Sequence, residues 1–242
     1  MTSPLIETKN LSIFRGQQCI LKNIDIQIEA RKTTAFMGPS GVGKSSLLRI
    51  LSGQEDHKFG QIYRYNSKIG GLNKTGILFQ NNALLLDQTV FENIALPIQY
   101  HYELPTALIE ELVMMKLRAV NLEHAAELYP EQLSGGMARR AAIARSIVLD
   151  PNLIFYDEPF AGQDPGNAEI IARLIKKMSR NLEATSVIIT HEIQLTMQLA
   201  DYLYIFDKQS IAFYGTPQEA LCSKNSFVKT FLKPSLTVVP NC

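Results

Sequence analysis

The run Gly38-Pro39-Ser40-Gly41-Val42-Gly43-Lys44-Ser45 fits the pattern G-x-x-x-x-G-K-[ST] in full. An apolar stretch from Thr33 to Met37 precedes it, and Leu47, Leu48, Ile50 and Leu51 follow at helical spacing. A buried strand must therefore pass through a glycine-rich turn into a helix, which requires a sheet with helices packed on it. Glycines let the backbone wrap closely around phosphate oxygens with N–H groups pointing inward. The helix adds its partially positive N-terminus. Lys44 supplies a full charge for β- and γ-phosphates, and Ser45 a hydroxyl for Mg²⁺. Nucleotide contacts are thus expected from Gly38, Pro39, Ser40, Gly41, Val42, Gly43, Lys44, Ser45 and Ser46.

Such a loop needs a carboxylate, on a neighbouring strand, to hold the metal. Leu153-Ile154-Phe155-Tyr156-Asp157-Glu158 supplies one. The apolar run buries the strand, and Asp157 emerges at its carboxyl end, where open α/β sheets bind ligands. Glu158 follows directly and is suited to polarise water for attack on a γ-phosphate.

The rest of the chain reads as one large domain. Its 242 residues are 46% apolar and 19% charged, which suits a packed globule and excludes a disordered chain. With 24 basic and 23 acidic residues there is no global basic field, so nucleic acid is not an expected partner. No stretch is long and apolar enough for a membrane span, and no signal peptide is visible, which points to the cytosol. Cys19, Cys222 and Cys242 are scattered and read as incidental thiols.

Ile24, Ile26 and Ile28 alternate with polar residues in a strand, with further short strands expected at 11–14 and 19–21. Residues 59–80 alternate again, with a turn at Gly70-Gly71 and Asn73. From Val90 to Leu149 the pattern is helical, with Leu108, Leu112, Met115 and Ala119 on one stripe and the Met114-Met115 pair read as core filling. Strand–helix alternation then resumes: strand 153–156, helix 166–182, strand 187–190 and a hairpin over 202–214. The order implies a helical insertion of about 88–150 inside an α/β frame spanning 1–233, with a short tail over 234–242.

Leu133-Ser134-Gly135-Gly136-Met137 makes a second anion-binding helix start, with Ser134 at the N-cap position. A simple phosphate-loop enzyme needs only one. The second is explained if it closes over a nucleotide held by another subunit.

With these motifs in this order, the sequence resembles the ATP-binding-cassette (ABC) family over nearly its whole length. The resemblance implies a RecA-like α/β core, an antiparallel β-subdomain and an inserted α-helical subdomain. It makes Gln80 the Q-loop glutamine, Ser134, Gly135 and Gly136 the signature that meets a twin's ATP, Asp164 in Gly162-Gln163-Asp164-Pro165 the D-loop aspartate, and His191 the histidine that contacts the γ-phosphate. Glu158, His191, Gln80 and Lys44 would be catalytic, and Ser45, Gln80 and Asp157 would hold Mg²⁺. The adenine-stacking group is either Phe14 or Arg15. The Gly53 to Gln80 stretch is short, implying a trimmed β-subdomain.

Met137 and Gly162-Gln163-Asp164 are similar to a narrower group, the ATPases of Mla-like phospholipid transporters. That implies a homodimer sandwiching two ATP molecules, membrane-embedded permease partners docked near Gln80 and the helical region, a small cytosolic regulatory subunit, and a position on the cytoplasmic side of the inner membrane. The alternatives are the ATPase of another ABC importer or exporter, or a soluble ABC machine of the iron–sulfur assembly type. Leu84 to Leu86 with Val90-Phe91 are either docking or core residues.

Overall fold

The computed structural model describes residues 4–65 and 75–233. The turn expected at Gly70-Gly71 and Asn73, and the tail over 234–242, lie outside them. Alternation does what it should in β2 (Gln18–Glu29): Ile24, Ile26 and Ile28 are at most 2% exposed. Each contributes about 1.5–3 kcal/mol by leaving water. β2 pairs antiparallel with β1 (Pro4–Arg15), and β4 (Phe59–Arg64) pairs with the other edge of β1, in the order β2-β1-β4. Where short separate strands were expected, the structure has two long ones. Asn10 and Asn23 absorb the irregularities, with φ of 50° and 49° at the register shifts, and the ladder resumes beyond them.

The second sheet runs β5 (Thr75–Leu78), β6 (Leu153–Asp157), β7 (Thr185–Ile189), β3 (Thr33–Met37), β8 (Tyr202–Asp207) and β9 (Ser210–Gly215) in spatial order. All its pairings are parallel except that of β8 with β9. Helices cover it, so its inner strands are buried on both faces, as the continuous apolar runs require. α1 (Lys44–Ser52) packs with β1 and β2 on one side through Leu47, Leu48, Ile50 and Leu51. On the other side lie α5 (Pro165–Asn181) and the helices inserted between β5 and β6: α2 (Val90–His101), α3 (Thr106–Ala119) and α4 (Gly135–Ser146). Three short helices, α6 (Ile193–Leu199), α7 (Pro217–Leu221) and α8 (Ser226–Leu232), had no counterpart in the sequence reading. The last two close over β3 and β8.

Two packing expectations are overturned. The buried face of α3 is Ile109, Val113, Lys116 and Leu117, while Leu108 and Met115 are 41% and 54% exposed. Met115 is therefore not core filling. Lys116 displaces the stripe because its stem lies on the dry face and its ammonium pairs with Asp150. The Leu84–Phe91 segment divides: Val90 is fully buried, whereas Leu86 is 74% exposed. Cys19 is a free thiol as expected, whereas Cys222 is disulfide-bonded.

The loop between β5 and α2 is built around Asn93, which is fully buried. Its Nδ2 donates to the carbonyls of Leu85, Gln88 and Thr89, and its Oδ1 accepts from the Leu85 N–H. Replacing Asn93 by alanine is expected to cost about 2 kcal/mol, because it strips partners from several main-chain groups at once. Urea unfolding reads this loss, and amide exchange in residues 85–89 should quicken.

Candidate active site

Four neighbouring parallel strands end at one edge of the sheet, and each delivers a functional group there. β3 runs into the phosphate loop, β7 ends just before His191, β6 ends at Asp157, and Gln80 lies two residues past β5. The carboxylate strand is not the immediate neighbour of β3, since β7 stands between them.

Close packing dictates the glycines of the loop. Gly43 has φ of 108°, and a Cβ there would lie 2.5 Å from Ile20 Cγ2. Gly38 has φ of 146°, and its Cβ would meet the Phe206 carbonyl oxygen at 2.6 Å. Both conformations favour glycine, and neither site has room for a side chain. The β1–β2 hairpin is thereby pressed onto the loop, with α1 beginning at Lys44. Lys44 is 8% exposed and donates to the carbonyls of Gly38 (2.8 Å) and Pro39 (2.9 Å). Burial lowers its pKa, against the opposing charges of Glu158 and Asp157. A phosphate would add to those negative charges and favour the ammonium form.

Ser45 Oγ donates to Asp157 Oδ1 at 3.3 Å. Burial raises the Asp157 pKa, the Ser45 bond opposes the rise, and the charge of Glu158 adds to it. Glu158 adopts φ of 47°, a left-handed backbone uncommon outside glycine. Its N–H donates to the Ile189 carbonyl (2.8 Å), and its carboxylate oxygen Oε2 meets His191 Nδ1 at 2.9 Å. Ser45 is thus linked to Asp157 and Glu158 to His191, and Lys44 lies within the field of both carboxylates.

The other predicted groups lie on this rim or apart from it. Gln80 is exposed in the turn after β5. Ser134 caps α4, accepting from the Met137 N–H at 3.3 Å, and stands exposed with Gly135. Among the described residues no hydrogen bond joins Ser134 to the phosphate loop. Gly136 is buried against α5, where a Cβ would come within 2.9 Å of Asn167 Oδ1. Asp164 caps α5 through the Asn167 N–H (3.1 Å), and that bond with the Asn167 amide holds its pKa down. Phe14 and Arg15 are both exposed at the hairpin tip, and Phe14 leans on Phe59 with ring centroids 5.1 Å apart.

Sequence reasoning missed Arg139, Asn82 and Arg145. Arg139 is 1% exposed and donates to the carbonyls of Phe79 (2.7 Å) and Glu158 (2.6 Å) and to Asn82 Oδ1 (2.8 Å). Arg145 donates to the carbonyls of Ala83 (2.7 Å) and Asn82 (2.8 Å). An arginine with no acidic partner at helical spacing was the available signal.

Residues 21–161 match the family model described as ABC transporter. The chain is 44% identical to the intermembrane phospholipid transport system ATP-binding protein MlaF of Haemophilus influenzae, over 96% of this chain and 92% of that protein. It is 39% identical to MlaF of Escherichia coli K12, over 94% of this chain and 88% of that one. Among solved structures it is similar to cbiO1 of Clostridium perfringens, part of the ABC transporter complex cbiONQ, with a TM-score of 0.81, 27% identity and 97% of each chain covered. It is also similar to the dimeric cassette MJ0796 bound to ADP and Pi, with a TM-score of 0.78, 28% identity, 88% of this chain and 98% of that one covered. The chain belongs to the ABC transporter family. It is an ATP-hydrolysing cassette, and no helix among the described residues is long and apolar enough to cross a membrane.

The loop geometry yields a test. Gly43→Ala should weaken ATP binding at least about tenfold, since the added methyl needs both a strained φ and movement of Ile20. Titration with a fluorescent ATP analogue measures it, and Ile20→Ala in the same chain should restore only part of the loss.

Proposed function

We propose that this cassette drives phospholipid transport between inner and outer membranes as the ATPase of an Mla-like transporter. The supporting observation is its identity to two MlaF proteins across nearly the full length of each chain. The cassette spans 1–233, with the helical subdomain inserted over about 88–150 and a short tail beyond.

Lys44 and the N–H groups from Gly38 to Ser46 hold the β- and γ-phosphates, with Phe14 or Arg15 on the adenine. Ser45 and Asp157 offer a hydroxyl and a carboxylate within hydrogen-bond reach of each other, hard oxygen donors suited to Mg²⁺, with Gln80 as a further ligand. Bound there, Mg²⁺ neutralises charge developing on the transferred phosphoryl group. Glu158 polarises the attacking water and accepts its proton. His191 holds that carboxylate through Nδ1 and is the group assigned to the γ-phosphate.

Two copies sandwich two nucleotides, each lending Ser134, Gly135 and Gly136, with Asp164 nearby, to the other's ATP. Exposure of Ser134 and Gly135, away from the chain's own phosphate loop, supports this exchange. Permease subunits dock beside Gln80 on the exposed Leu85, Leu86, Leu96 and Tyr100, keeping the cassette on the cytoplasmic side of the inner membrane. A small regulatory subunit is assigned to the exposed Leu108 and Met115 of α3.

Lys44→Ala should abolish ATP hydrolysis chiefly by weakening phosphate binding. Glu158→Gln should bind ATP normally but lose about 10²–10⁴-fold in turnover, the usual contribution of a positioned base, leaving a longer-lived dimer on gel filtration. Normal turnover by Glu158→Gln would remove Glu158 from the mechanism. A pull-down of the chain from detergent-solubilised membranes should bring integral membrane subunits and bound phospholipid. Recovery of soluble partners alone would instead favour a soluble ABC machine.

A further inference from the structure

Arg139 is the most deeply buried cation among the described residues, and no carboxylate pairs with it. Its acceptors belong to two segments far apart in the chain. Nη1 donates to the Phe79 carbonyl (2.7 Å) and Asn82 Oδ1 (2.8 Å), which bracket the turn carrying Gln80. Nη2 donates to the carbonyl of Glu158 (2.6 Å). A guanidinium is planar, so these two arms stand in fixed relation to each other. The charge is also costly to hold: Nε is buried without a partner, and burial pushes the guanidinium down to about 10 against the charges of Asp157 and Glu158. An apolar side chain would fill the space without that cost. What it could not supply is a rigid tie between the two segments.

Glu158 needs such a tie. Its left-handed φ of 47° persists only if its neighbours over-determine it. The N–H is held by the Ile189 carbonyl, the carboxylate by His191, and the carbonyl by Arg139 and the Ala161 N–H. Removing Arg139 leaves the Glu158 carbonyl to the Ala161 N–H alone and breaks the one direct tie between that peptide and the Gln80 turn.

We propose that Arg139 is a positioning residue for ATP hydrolysis, its guanidinium fixing the backbone of Glu158 against the turn that carries Gln80. It acts through protein acceptors, the carbonyls of Phe79 and Glu158 and Asn82 Oδ1. The proposal rests on the reading of Glu158 as the carboxylate that polarises the attacking water, so Glu158→Gln is measured beside the arginine variants.

The test uses the full chain in its detergent-solubilised complex, reading kcat and KM for ATP and the affinity for ATP without magnesium. Arg139→Met should lower kcat about a hundredfold and Arg139→Lys about tenfold, the scale of misplacing a catalytic group by about 1 Å. KM and magnesium-free affinity should stay within about twofold, because a loss confined to the transition state spares ground-state binding. Asn82→Ala removes one acceptor without touching Glu158 and should cost only about twofold in kcat.

If Arg139→Met keeps near-normal kcat while Glu158→Gln is inactive, the positioning role is wrong and the reading of Glu158 stands. If Glu158→Gln itself turns over normally, that reading falls and the arginine proposal with it. A rise in KM matching the fall in kcat would make Arg139 a packing residue and overturn the proposal. Should Arg139→Met fail to fold, Arg139→Lys decides alone: a normal kcat for it overturns the tie.

Discussion

Ile189 pairs with Phe36 on one side and with Asp157 on the other, and its carbonyl accepts the N–H of Glu158. Everything at the site is measured from that residue. The pairing with Phe36 sets where β3 stops and the phosphate loop starts, and the pairing with Asp157 sets the height of the carboxylates above the same edge. A slip of one residue along β7 would turn every side chain on that strand to the opposite face. Thr185, Ser186, Val187, Ile188 and Ile189 are all buried on a strand covered from both sides, so the packing holds the register firmly. The geometry of the proposed site follows from a parallel ladder, whose hydrogen bonds are indifferent to side-chain identity.

A second constraint comes from the helices inserted between β5 and β6. They must sit against the core although the loops around them carry main-chain carbonyls that no ladder satisfies. α4 answers with three arginines. Arg139 serves Phe79 and Glu158, Arg140 the carbonyls of Val120 and Asn121 at the end of α3, and Arg145 those of Asn82 and Ala83. Hydrogen bonds from a charged donor contribute about 1.5–3 kcal/mol where they are shielded from water, so the guanidinium groups tie these loops to α4. Asn93 does the same for residues 85–89, and Lys116 reaches Asp150 at the return to β6. The exposed Leu86 therefore rides on a loop whose base is pinned on both sides.

The parts legible in the sequence were those with a local cause. The phosphate loop needs glycines and a following helix, β6 needs an apolar run ended by acid, and an N-cap needs a hydroxyl; Gly43, Asp157 and Ser134 lie where those rules put them, whereas the cap at Asp164 was not foreseen. What stayed hidden had a distant cause. The buried face of α3 depended on Asp150, thirty-four residues from Lys116, and the burial of Arg139 depended on carbonyls at Phe79 and Glu158. Carbonyl acceptors carry no residue signature, so no pattern of side chains announces them. The strands β1 and β2 were misread as fragments for a related reason, since left-handed Asn10 and Asn23 interrupt the pattern without ending the ladder.

α4 therefore faces two ways within its first turns. Its capped start, Ser134 and Gly135, is open to solvent, while Gly136 and Arg139 are driven into the molecule against Asn167 and the backbone of Glu158. A helix is stiff over so short a span, with each residue advancing about 1.5 Å along its axis. On the sandwich reading, the surface that one copy lends to its twin's ATP and the arginine that meets the Glu158 carbonyl lie on one rigid rod. Any displacement of Ser134 by a neighbouring nucleotide would then have to be absorbed at Gly136 or passed to Glu158. At Gly136 a methyl would press on the Asn167 side chain at 2.9 Å, and that side chain is itself held by Asp164, so the start of α4 is packed closely against α5.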